Sequence, residues 1–161
     1  MDGPMVYRQG EKQINCDELR WVRNIKFEQV PVGLIEQVYG HPHTHEEWLK
    51  WCDWFNQLYN IWNAAAVDET NTIRIFLYGT WDPLLSEMRV VRLTAYPGLF
   101  RSNGKVLWKV KEVLMPWARE LGMKRVYWES CKWKAMLRKC PGEFKVIDTR
   151  LVEVVDVSTP S

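Results

Sequence analysis

Cysteine, histidine and long apolar runs are all scarce in this chain, and each scarcity removes a class of protein. The four cysteines, Cys16, Cys52, Cys131 and Cys140, form no Cys-x-x-Cys pair. Such spacing writes neither a zinc knuckle nor a dithiol redox motif, so reduced thiols are expected. All three histidines fall in one stretch, His41-Pro42-His43-Thr44-His45. Imidazoles two residues apart can face one divalent ion, but no acidic or cysteine ligand flanks them at a ligand-like spacing, and no metal is expected. No nucleophile elbow is present for Ser/His/Asp catalysis, and no local signature supports a Cys/His pair. No run approaches the ~18 apolar residues of a membrane span, and Met1-Asp2-Gly3-Pro4 lacks the basic and apolar regions of a signal peptide. A cytoplasmic protein with no membrane partner is the expectation.

What is present is the balance of a globular domain: 161 residues, 47% apolar and 26% charged. A chain of this size removes roughly 70% of its unfolded surface from water on folding, enough for a core without a staple. With no repeat and no low-complexity linker, one domain spanning 1–161 is expected. The net charge of +2 hides an asymmetry, because the stretch from Arg101 to Lys139 holds 11 Lys/Arg against 3 Asp/Glu, a local +8 that leaves −6 elsewhere. A basic second half points to an anionic partner, either a phosphate-bearing cofactor or nucleic acid.

The first 40 residues are weakly patterned; Leu19, Val22 and Ile25 suggest a short helix, broken by Pro31 and Gly33. Thr44-His45-Glu46-Glu47 is a capping box, in which the hydroxyl and the carboxylate each take the other residue's amide. Trp48, Trp51, Cys52, Phe55, Leu58, Tyr59 and Trp62 follow at helical spacing, which predicts a helix from about 45 to 63. Trp54 and Ile61 lie off that stripe, so the helix is either covered on more than one side, as a buried core helix is, or presents aromatic surface to a protein partner, and the core helix is the favoured reading. From Thr72 the period becomes that of strands. Ile73 to Tyr78 and Met88 to Thr94, punctuated by Asp82-Pro83, predict an antiparallel hairpin. Val106, Leu107, Val110, Val113, Leu114, Trp117 and Leu121 mark an amphipathic helix with Gly122 as its C-cap, kinked or stopped near Met115 by Pro116. A short strand from Arg125 to Glu129, a helix over 132–140 and a strand over 145–156 complete the order. The expected class is α+β: a mixed, mostly antiparallel sheet with flanking helices, made of a core over 72–156 and a divergent helical part over 1–71.

The strand Arg89 to Ala95, then Tyr96-Pro97, then Arg101-x-x-Gly104-x-Val106 opening a helix, resembles the cofactor segment of the GNAT-type N-acetyltransferases, Gln/Arg-x-x-Gly-x-Gly/Ala. Val126-Tyr127-Trp128-Glu129, the helix around Ala135-Met136-Leu137 and Gly142-Glu143-Phe144 continue the same succession. About 85 residues carry the resemblance. It implies that acetyl-CoA binds between two parallel strands that splay apart and that its acetyl group passes directly to an amine. The cofactor-binding residues it implies are Arg101, Ser102, Asn103, Gly104, Lys105 and Val106. Physical chemistry agrees, since helix-start amides lack partners and carry the positive end of the dipole, glycine permits close approach, and Arg101 and Lys105 add cations.

Amine acetylation needs a proton acceptor, and Glu87, at the start of the cofactor strand, and Asp82, before it, are the candidate bases. The family's small residue is Val106 here, and Leu137 stands where many members have a tyrosine. Those departures keep open a second reading, a catalytically inactive structural protein of this fold; the stretch from Gly104-Lys105-Val106 through Met115-Pro116 to Glu129-Ser130 is similar in helix and strand order to internal virion proteins of short-tailed phages, which implies association with a phage virion and assembly into a larger complex. A third, weaker reading is nucleic-acid binding through Lys124, Arg125, Tyr127, Trp128, Lys132, Trp133, Lys134, Arg138 and Lys139, which interleave cations and rings.

Overall fold

The computed structural model describes residues 14–34, 44–95, 103–128 and 138. The chain divides into two compact units, Met1–Glu129 and Ser130–Ser161. All the elements named below belong to the first; in the second only Arg138, helical and exposed, is described. The expected helix over 132–140, with Leu137, and the strand over 145–156 otherwise lie outside the described residues.

Among the described residues five strands form one sheet whose spatial order follows the chain: β1 (Arg20–Arg23), β2 (Ile61–Val67), β3 (Ile73–Asp82), β4 (Glu87–Ala95) and β5 (Arg125–Trp128). The first three pairings are antiparallel and β4–β5 is parallel. Helix α1 (His45–Phe55), helix α2 (Asn103–Glu120) and two 3-10 turns, Cys16–Glu18 and Phe27–Gln29, also lie among the described residues, and residues 32–34 are helical as well. This is the mixed, mostly antiparallel sheet with flanking helices expected of the α+β class. No helix among the described residues is long and apolar enough to cross a membrane.

Helix α1 starts where the capping box places it. The Glu47 amide donates to Thr44 Oγ1 at 3.1 Å, and the Thr44 amide donates to Glu47 Oε2 at 3.4 Å. It ends eight residues earlier than its apolar spacing predicts, at Phe55 rather than near 63. The reason is tertiary: residues 61–67 find strand partners on both sides, β1 on one and β3 on the other. With both edges paired and Ala64, Ala65 and Ala66 fully buried, a central strand is nearly continuous in apolar residues and cannot be told from a helix by period alone. The same pairing overturns the expected helix after Asp17, where β1 stands, and with it the description of 1–71 as a helical part.

Each face of the sheet has its own core. Rings of Phe27, Phe55, Phe76 and Tyr78 meet on one face, Phe27 stacking on Phe55 at 4.7 Å and meeting Phe76 edge-on at 5.8 Å. Such aromatic pairs add about 0.5–1.5 kcal/mol each beyond their burial. On the other face α2 buries Val106, Val110, Val113, Leu114, Trp117 and Ala118, and Trp117 meets Trp62 edge-on at 5.6 Å. Leu121, expected on that stripe, is exposed. Pro116 does not end α2. Its ring lies on the exposed side, and the helix runs on to Glu120. It closes with a Schellman arrangement: Gly122 has φ 73°, its amide donates to the Arg119 carbonyl at 3.1 Å, and Met123 donates to Ala118 at 2.8 Å.

Candidate functional site

The site is built where the antiparallel part of the sheet meets its parallel pair. Along the β3–β4 hairpin Tyr78 pairs with Arg92 but Gly79 pairs with Val90, so Val91 is an extra residue in β4, a bulge. A bulge leaves one residue out of the ladder and bends its strand. Gly79 is what permits it: a Cβ there would sit 1.8 Å from the Arg89 carbonyl oxygen and 2.7 Å from the Trp62 ring. Val91 also lies immediately beyond the last described β4–β5 pairing, Val90 with Trp128. Eight residues after β4, helix α2 opens at Asn103, with Gly104 second and Lys105 third. The amides of its first turn have no partner within the helix.

The two candidate bases are neighbours: Asp82 and Glu87 pair directly across β3 and β4. Asp82 Oδ1 accepts the amides of Leu84 (2.9 Å) and Leu85 (3.2 Å), which shapes the turn. Glu87 is 7% exposed. Its Oε1 faces Arg89 Nη2 at 3.3 Å and its Oε2 faces Arg125 Nε at 3.6 Å. The guanidinium of Arg89 lies over the Tyr127 ring, 5.2 Å from its centroid. The Ser86 carbonyl takes the amides of Lys124 (2.6 Å) and Arg125 (3.3 Å), tying the turn to the start of β5.

The sequence singled out Glu87 and Asp82 as candidate bases without showing their juxtaposition, and it did not single out Gly79, Arg89, Val91 and Arg92 beside them. Of the residues that the sequence groups in a nucleic-acid cluster, Arg125 faces Glu87, Tyr127 lies under the Arg89 guanidinium, and Trp128 packs against the core. Register, which a lone sequence does not carry, is the missing signal for each. Of the implied cofactor residues, Arg101 and Ser102 lie outside the described residues, and Asn103, Gly104 and Lys105 are described in backbone only. Val106 is buried on the stripe that faces the sheet.

Other reactive groups are set aside by their surroundings. Cys52 is fully buried, and burial, with Glu28 and Asp53 adding to it, pushes its thiol up to about 12, far from a nucleophilic thiolate. His45 is the first residue of α1, while His41 and His43 lie outside the described residues. Among the described residues no three His, Cys, Asp or Glu side chains are grouped to hold a metal.

The described strands, in this order and with the parallel β4–β5 pair, have the fold of the GNAT acetyltransferases. A GNAT family acetyltransferase from Staphylococcus aureus matches it with a TM-score of 0.56 at 15% identity, over 84% of this chain and 99% of that one. An aminoglycoside acetyltransferase from an uncultured soil metagenomic sample, solved in complex with sisomicin, matches with a TM-score of 0.59 at 14% identity, over 87% and 98%. The aminoglycoside N-acetyltransferase AAC(6')-Iy, solved in complex with CoA, matches with a TM-score of 0.59 at 14% identity, over 86% and 95%. No protein-family model and no curated protein sequence matches the chain.

Proposed function

We propose that this protein is an acetyl-CoA-dependent N-acetyltransferase, acting in the cytoplasm by direct transfer of the acetyl group to an amine. The observation that carries the reading is the bulge at Val91, next after the last described β4–β5 pairing, with helix α2 opening eight residues beyond β4. A strand that leaves the ladder beside a parallel neighbour makes room for an extended thiol arm, and a helix start behind it suits the pyrophosphate. Arg101, Ser102, Asn103, Gly104, Lys105 and Val106 form the pyrophosphate segment in this reading. Acetyl-CoA supplies a thioester whose carbonyl carbon bonds the amine nitrogen as the carbon–sulfur bond breaks and the thiolate leaves. Glu87 takes the proton that the amine loses, with Asp82, its cross-strand partner, as the second carboxylate.

The reading is tested by thermal-shift titration with acetyl-CoA. Ligand at 100 times its dissociation constant adds about 2.7 kcal/mol to stability, and Gly104→Glu, which places an anion at the helix start, abolishes the shift. An equal shift in that variant removes the segment from the site.

A second reading, a catalytically inactive protein of this fold, has one observation in its favour: both oxygens of Glu87 already face guanidinium groups. Acetyl-CoA saturation without transfer to any amine selects it.

A further inference from the structure

Resting on the acetyltransferase reading, we infer that the acceptor is an amine carrying a carboxylate in the same molecule, and that Arg92 and Arg125 receive that carboxylate. The register puts Glu87, Arg89 and Arg92 on one face of β4, on either side of the Val91 bulge, and β5 adds Arg125 and Tyr127 to the same face. Among the described residues three guanidinium groups therefore share this face with two carboxylates, Asp82 and Glu87, and both carboxylates are engaged within the protein. Glu87 lies between Arg89 and Arg125, and Asp82 Oδ1 accepts two turn amides. Among the described residues this face offers cations to solvent: Arg92 is exposed and donates only to the Val91 carbonyl, and the Arg125 side chain is 51% exposed.

An excess of guanidinium next to the point of transfer repels a polycation and suits an anion. Arginine presents parallel N–H groups matched to a carboxylate, with geometry as well as charge. An amine within a few bond lengths of its own carboxylate can then rest the anion on Arg92 or Arg125 while its nitrogen approaches Glu87. Polyamines and aminoglycosides carry no such group and meet like charge instead.

The experiment uses the full chain with acetyl-CoA and compares kcat/KM for a panel of amino acids with that for their carboxamides, for spermidine and for an aminoglycoside. The carboxylate forms are expected to be preferred at least tenfold. Arg92→Gln and Arg125→Gln are each expected to bring that ratio toward one through a higher KM for the carboxylate form, with the KM for acetyl-CoA unchanged. Because Arg125 also faces the buried Glu87, Arg92→Gln, which faces no carboxylate in the described residues, tests the same point without that risk to folding. Preferred use of carboxamides, spermidine or the aminoglycoside overturns the inference, as does a ratio unmoved in both variants. If no acceptor is acetylated, the acetyltransferase reading fails, and thermal shifts with the amino acids and carboxamides alone decide the subsite. A shift with the acids only, lost in Arg92→Gln, sustains it, and equal behaviour overturns it.

Discussion

Two turns of this sheet carry a carboxylate, and they are built in opposite ways. At the β2–β3 turn Asp68 Oδ1 accepts the Thr70 amide (2.9 Å), the Thr70 hydroxyl (2.7 Å) and the Thr72 amide (3.0 Å), while Oδ2 accepts Arg74 Nε at 2.9 Å. Burial raises its proton affinity, but the bonds from Thr70, Thr72 and Arg74 outweigh it and lower the carboxyl to about 2. Asn71, at φ 63°, closes the turn. At the β3–β4 turn Asp82 accepts amides through Oδ1, but the turn thrusts Leu84, 94% exposed, into solvent, and Ser86 stands at φ 52° just before Glu87. The first turn spends its carboxylate on its own closure. The second places its carboxylates in register beside β5 and at the same end of the sheet as two arginines. A charged residue in a turn thus acquires its role from what the neighbouring strand brings to it.

The sharpest way to break the contrast is at Gly79, on the strand that both turns share. Gly79→Val forces a Cβ into the Arg89 carbonyl and the Trp62 ring, so the bulged hairpin must give way. A loss of at least about 3 kcal/mol is expected in urea unfolding. An unchanged midpoint means that the bulge is not where the register puts it.

Next in size is the comparison of the two carboxylates by activity. Glu87→Gln keeps the size of the side chain and removes its basicity, and turnover at neutral pH is expected to fall by roughly 10²-fold or more with acetyl-CoA binding retained. Asp68→Asn is expected to leave turnover near wild type. Matching losses of acetyl-CoA affinity and rate in Glu87→Gln assign that residue to structure, like Asp68.

The smallest expected effect is on stability at Asp68. The ordinary carboxyl value is about 3.9, so a folded-state value of about 2 contributes about 2 kcal/mol at neutral pH. Because the folded value is the lower one, that stability is present above about pH 4 and lost as pH falls toward 2. Asp68→Asn should therefore unfold more easily at pH 7, and the gap from wild type should narrow with acid in denaturant titrations. A gap independent of pH assigns its cause to shape rather than charge.

The sequence by itself determined whatever neighbours along the chain can settle. The Thr44/Glu47 capping box, the 73–95 hairpin with its Asp82-Pro83 turn, the apolar stripe of α2 and its Gly122 end all follow from side chains within a turn of one another. The order of strands and helix after residue 72 sufficed for the fold class and for the family resemblance. Only the tertiary structure decided what depends on partners far away in the chain. Residues 61–67 became a strand because β1 and β3 flank them, against a period that favoured extending α1. Glu87 and Asp82, candidates by position, became a cross-strand pair with arginines from β4 and β5 around Glu87, because register fixes which side chains share a face. The bulge at Val91 was silent in sequence, since an extra residue in a strand is defined only by the strand it fails to match.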